Sequence, residues 1–223
     1  MQFKKYILRL ALVLLPVWGL AQTTYLQSGD KQEIILDRME IEAQKDPVLN
    51  FSKTKPLSRE YYVNAVRKYL NEDSTGVALS KADRYYIESL LKNNIEWVPE
   101  ELREDLLSKR PVLNTFYEYP AGFYETHGRD FDLSINPIIN FGVMKESNND
   151  QRLFYNTRGA LVRGRIANRI GFVASVTDNQ ERDPSYVQQW ISDRQAVPGE
   201  GYYKEFKAAG GVDYFDAKGY ITF

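Results

Sequence analysis

Near residue 130 the hydrophobic period of this 223-residue chain changes from that of a helix to that of a strand, and this change restricts the fold more than any other feature. Beyond it, apolar side chains recur at every second position. Phe131, Leu133, Ile135, Pro137, Ile139, Phe141 and Val143 fall on one side, opposed by Asp132, Ser134, Asn136 and Asn140, with Ile138 as the exception. Ala160, Val162, Gly164 and Ile166 then alternate with Leu161, Arg163 and Arg165. After a tight turn at Ala167, Asn168 and Arg169, a third run sets Ile170, Phe172, Ala174 and Val176 against Gly171, Val173, Ser175 and Thr177. A fourth sets Phe215, Ala217, Gly219, Ile221 and Phe223 against Tyr214, Asp216, Lys218, Tyr220 and Thr222. A period of two sends alternate side chains to opposite faces of a strand.

Alternation by itself describes any half-buried strand, including those of a soluble sandwich. Two further features favour a membrane barrel. The runs are about ten residues long, the length a tilted strand needs to cross a bilayer. The connections also go long (145–156), short (167–169), long (179–212), the asymmetry of outer-membrane barrels. In such a wall Arg163, Arg165, Asp216 and Lys218 are expected to face the lumen. Four strands are too few to close a barrel, and an open edge in lipid leaves backbone groups unsatisfied. The sequence is therefore expected to be the front part of a longer barrel.

Residues 32–110 carry a helical period instead. Ser58 is placed to cap a helix over 60–71, with Tyr62, Val66, Tyr69 and Leu70 on one face. Ser80 is placed to cap a second, to about Asn93, burying Ile87, Leu90 and Leu91. Pro99 suits the first position of a short third helix, whose acidic start and basic end (Lys109, Arg110) match the helix dipole. A further helix is expected over 34–43. The pattern is that of a small helical bundle, and no catalytic constellation stands out in it.

The N-terminus reads as an export signal. Lys4, Lys5 and Arg9 precede an apolar run from Leu10 to Leu15, and Gly19 and Ala21 supply small residues for cleavage after Ala21. The run is short for a spanning helix and is broken by Pro16. Loss of the three positive charges takes the net charge from −1 to about −4, which argues against nucleic acid as a partner. With no cysteine and one histidine, His127, neither a disulfide framework nor a thiolate or histidine-rich metal site is expected, and no cofactor. His127 reads as a loop residue. Sixteen tyrosines suit both the aromatic girdles of barrels and carbohydrate-binding surfaces.

Two groups are candidates for binding. Arg158, Arg163 and Arg165, with Arg169 close by, could form an electropositive lumen for an anionic polysaccharide, because guanidinium pairs well with carboxylate. The competing reading is structural, with these arginines held by acidic neighbours such as Asp132 and Asp216. Trp190, Tyr202 and Tyr203 lie in the long connection, where exposed aromatic rings stack on sugars. They could equally anchor the loop. Glu146, Asp150, Asp178 and Glu181 are loop carboxylates whose separations sequence does not give, and no catalytic residue is assigned.

The stretches INPIINFGVMKESNNDQRLFYNTRGALVRGRIANRIGFVASVTDNQ, PSYVQQW, VPGEGYYKEFK and GVDYFDAKGYITF resemble Wzi-like capsule-assembly outer-membrane proteins, a group that includes RemB-type gliding-motility surface proteins. LDRMEI, KPLSREYYVNAV and LSKADRYYIESLLKNNIEW are similar to the helical region that precedes the barrel there. The resemblance implies an outer-membrane location, contact with lipid and a non-enzymatic role in assembling or attaching surface polysaccharide, or in surface motility. The expected architecture is α+β: a signal peptide (1–21), a helical N-terminal region (22–110), a linker (111–129) and the first antiparallel strands of a truncated outer-membrane β-barrel (130–223). A soluble exported carbohydrate-binding module is the alternative from a different class.

Overall fold

The computed structural model describes residues 24–223 except 52, 72–74, 148 and 168. The export signal and its cleavage point lie outside the described residues.

The chain is mixed α+β. Helix α1 (Lys31–Ala43) starts earlier than its apolar pattern, because Asp30 caps it: the carboxylate accepts from the Gln32 amide at 2.9 Å. Helix α2 (Arg59–Arg67) is capped by Ser58 as its sequence predicts and tightens into a 3₁₀ turn over Lys68–Leu70. Helix α3 (Lys81–Lys92) opens with a reciprocal capping box between Ser80 and Asp83 and buries Ile87, Leu90 and Leu91. A 3₁₀ turn (Ile95–Trp97) leads into the short α4 (Glu100–Arg103), with Pro99 at its cap position. These elements share one hydrophobic core, including Leu36, Met39, Leu49, Val63, Val66 and Ile95, drawn from residues 26–106. Asp46 pins the bend after α1. Its carboxylate accepts from the amides of Val48 and Leu49 and from Tyr69, and pairs with Lys68 at 2.6 Å. Burial opposes the charge of Asp46, but these partners win and hold its pKa down to about 2.

Among the described residues the rest forms a six-stranded antiparallel sheet in the order β1-β2-β3-β4-β6-β5. The strands are β1 (Tyr124–His127), β2 (Phe131–Lys145), β3 (Arg152–Ile166), β4 (Ile170–Arg182), β5 (Lys204–Phe206) and β6 (Gly211–Thr222). The sheet is open rather than closed on itself: β1 covers only 132–135 of β2, and β5 only 211–213 of β6. Pro137, which has no N–H to donate, falls past the end of β1, where β2 has a single neighbour. Three elements have no counterpart in the sequence reading, β5 within the long 179–212 connection among them. The 111–129 stretch, expected to be a linker, carries β1. The long connection after β4 contains a helix, α5 (Ser185–Arg194).

One face of the sheet buries charged and polar groups together with Leu153, Val173 and Val212, and the other leaves large apolar side chains exposed. The face toward the helical layer carries Asp132, Ser134 and Arg163, which are 2%, 3% and 7% exposed. The opposite face carries Ile139, Phe141, Phe215 and Ile221, at 70%, 75%, 64% and 68% exposed. The register lines this apolar side up across strands: Leu133 with Gly164, Gly164 with Phe172, and Phe172 with Ile221. At Gly164 a Cβ would come within 2.4 Å of the Phe172 ring, so the glycine lets the ring lie flat along the sheet.

Candidate functional site

The inner, polar face of the sheet is covered at its two ends by different parts of the chain. At the end of the short β3–β4 turn it meets the helical layer. Arg163 of β3 reaches Glu96 of the 3₁₀ turn at 2.8 and 3.2 Å and the Asn93 carbonyl at 2.6 Å. Its neighbour on the same face, Arg165, donates to its cross-strand partner Asp132 at 2.7 Å and lies 4.6 Å over the Trp97 ring. The Tyr220 hydroxyl accepts from the Tyr25 amide at 2.9 Å. The seam between layer and sheet is thus built from ion pairs and hydrogen bonds. Burial opposes the charge of Glu96, but Arg163 outweighs it and holds the carboxyl below its usual range. Behind it, Arg59 of α2 donates to Asn94 at 2.5 Å and, deeply buried, is pushed down to about 10.

His127 belongs to this seam. It sits in β1, not in a loop, with its side chain 5% exposed. Nδ1 is 3.0 Å from Asp132, and Nε2 is 3.8 Å from Glu125. Glu125 in turn accepts from the Ser134 hydroxyl at 3.0 Å.

The three arginines therefore do not converge. Positions 163 and 165 share the inner face, whereas 158, an odd number of residues away, points outward. Arg158 pairs there with Asp178 and Gln180, both at 3.3 Å, in the middle of β3 and directly opposite Ile139. The acidic partner expected for these arginines is Asp132 for Arg165, while Asp216 is taken by Lys218 at 2.5 Å.

At the far end of the inner face lies α5. Ile191 and Val197 bury against Val212 of β6, with Trp190, Tyr203 and Tyr214 packed around them. Trp190 is further covered by the Arg194 guanidinium at 4.7 Å. Of the three candidate aromatics only Tyr202 stands free, at 80% exposure. Glu146 from the β2–β3 connection accepts from the Ser185 hydroxyl at 2.7 Å and its amide at 3.1 Å, clasping that connection to the start of α5. These bonds draw the Glu146 carboxyl below its usual pKa. Between α5 and the sheet is a cleft of about 250 Å³ lined by Glu181, Asp183, Gln188, Gln195, Tyr203 and Glu205, among others. Burial pushes Asp183 up from its ordinary value. Carboxylates, amides and one tyrosine ring are groups that suit a hydroxyl-rich ligand.

Sequence reasoning missed α5, although Val187, Trp190 and Ile191 carry a helical spacing after Pro184. It also missed Glu96, Glu125 and His127, whose partners are distant in the chain. Among the described residues no group of three or more acidic or histidine side chains is placed to hold a metal ion, and no helix is long and apolar enough to cross a membrane. No family model, curated protein or solved structure matches the chain.

Proposed function

We propose that the sheet is part of the wall of an outer-membrane β-barrel, with the helical layer on its lumen side, and that the protein acts in assembly or attachment of surface polysaccharide. The observation that supports this most is the inverted sheet. Isoleucine, phenylalanine and valine lie exposed on the outer face, while buried arginine, aspartate and serine occupy the inner one. In water this arrangement forfeits the hydrophobic contribution of the outer face, about 25 cal/mol per Å². In a bilayer that face meets lipid, and the polar face lines the interior as barrel lumens do. Further strands complete the wall at the open edges of β2 and β6, as a bilayer requires. The resemblance to Wzi-like proteins supplies the polysaccharide role, and the cleft beneath α5 supplies a surface with suitable chemistry.

Fractionation tests the location: the native protein is expected in the outer membrane and to need detergent for extraction. Recovery in the soluble periplasmic or extracellular fraction would overturn the wall reading. A deletion strain tests the role, with capsule retention expected to fail. Intact capsule with lost surface spreading would place the same scaffold in gliding motility instead.

A further inference from the structure

The seam between the helical layer and the sheet contains a competition for one arginine. Arg163 Nη2 lies 3.2 Å from Glu96 of the helical layer and 3.9 Å from Glu125 of β1. The second oxygen of Glu125 is buried and has no hydrogen-bond partner among the described atoms, and the same is true of Nε2 of His127, which faces it at 3.8 Å. A proton on Nε2 gives each of these atoms a partner.

We propose that His127 is a pH-sensitive latch for the helical layer. While the imidazolium satisfies Glu125, Arg163 is left to Glu96 and the layer is held on the sheet. When Nε2 loses its proton, the buried Glu125 carboxylate turns to Arg163, Glu96 loses its partner and the seam opens.

The surroundings set the direction. Glu125 from its own strand, Asp132 from β2 and Glu96 from the helical layer face His127 as acids. Arg163 and Arg165 approach from β3, with Arg165 engaged by Asp132, and Tyr119 lies edge-on at 5.6 Å. Burial disfavours the imidazolium, but Asp132 and Glu125 outweigh it, so the group titrates above its ordinary value of 6.5. A raised pKa means that the latch is fully set below 6.5 and is lost as pH rises through the folded-state value. His127 lies opposite Asp132 on the inner face of the sheet, the face turned to the helical layer and away from the proposed lipid side. The latch depends on the seam alone and holds whether or not the outer face meets a membrane.

Trp97, 9% exposed beneath Arg165, reports on this seam. In the full chain in detergent micelles, with Trp18 and Trp190 replaced by phenylalanine, Trp97 is the sole tryptophan and can be excited selectively over tyrosine. Its emission is expected to stay blue at pH 5–6.5 and to shift red in a single-proton step with a midpoint above 6.5. His127→Gln should abolish that step. Glu125→Gln, which removes the competitor for Arg163 and keeps the histidine, should hold the emission blue across pH 5–9. A flat profile in the parent, an unchanged step in His127→Gln, or an unchanged step in Glu125→Gln would each overturn the latch. Should His127→Gln fail to fold, the Glu125→Gln arm decides.

Discussion

Arg163 and Glu96 form a charge pair withdrawn from water on both sides, at 8% and 7% side-chain exposure. Such a pair contributes little net stability relative to an apolar replacement, but removing one partner strands the other. Arg163→Met is therefore expected to destabilise the seam by about 3–5 kcal/mol, and the double change Arg163→Met with Glu96→Leu to recover most of it. Urea titration followed at Trp97 checks this; equal losses in the single and double variants would contradict it. The same pair fixes the acid side of the pH response. Glu96 is held below its ordinary value of 4.5, so its contribution is present above that value and is lost as pH falls. With His127 acting in the opposite sense, the seam is expected to be tightest between the two ordinary values, 4.5 and 6.5.

The individual strands test the assignment of faces. Gly219 lies on the apolar side of β6, opposite Ala174, and its neighbour Lys218 lies on the polar side with Asp216. In the membrane, Gly219→Arg should cost about 2–4 kcal/mol, as charge near the midplane of a barrel wall does. Lys218→Glu should cost much less. A Cβ at 219 would sit 3.0 Å from the Val173 carbonyl, so Gly219→Ala is needed to separate crowding from charge. Unfolding in micelles that ranks Gly219→Arg no worse than Gly219→Ala would place that face away from lipid. At this scale the sequence was most legible. Alternation is a local property, and it located β2, β3, β4 and β6; serine caps located α2 and α3. Elements held by distant partners were not legible. Helix α5 exists because Ile191 reaches Val212, and β1 because it pairs with β2 across the tight 128–130 connection. The arginines separate for a simpler reason. Proximity in sequence is not proximity in space, and strand parity alone separates position 158 from 163 and 165.

The whole molecule combines two units of opposite character. The helical layer has its own hydrophobic core, and its contacts with the sheet include the Arg163–Glu96 ion pair and the Tyr25–Tyr220 hydrogen bond. The sheet buries charge on one side, exposes an apolar face on the other, and has no second strand partner among the described residues along 136–145 of β2 and 214–222 of β6. Exposed strand edges template association, and a broad apolar face adds a second adhesive surface. Residues 22–223 made alone in detergent-free buffer are therefore expected to aggregate, and to become monodisperse only in micelles. Residues 22–110 should be the more soluble piece and retain helical circular dichroism. Size-exclusion chromatography with light scattering, with and without detergent, distinguishes the outcomes. A monodisperse monomer of 22–223 that unfolds cooperatively in plain buffer would mean that the outer face is not a lipid surface. The cleft beneath α5 would then belong to a soluble exported carbohydrate-binding module.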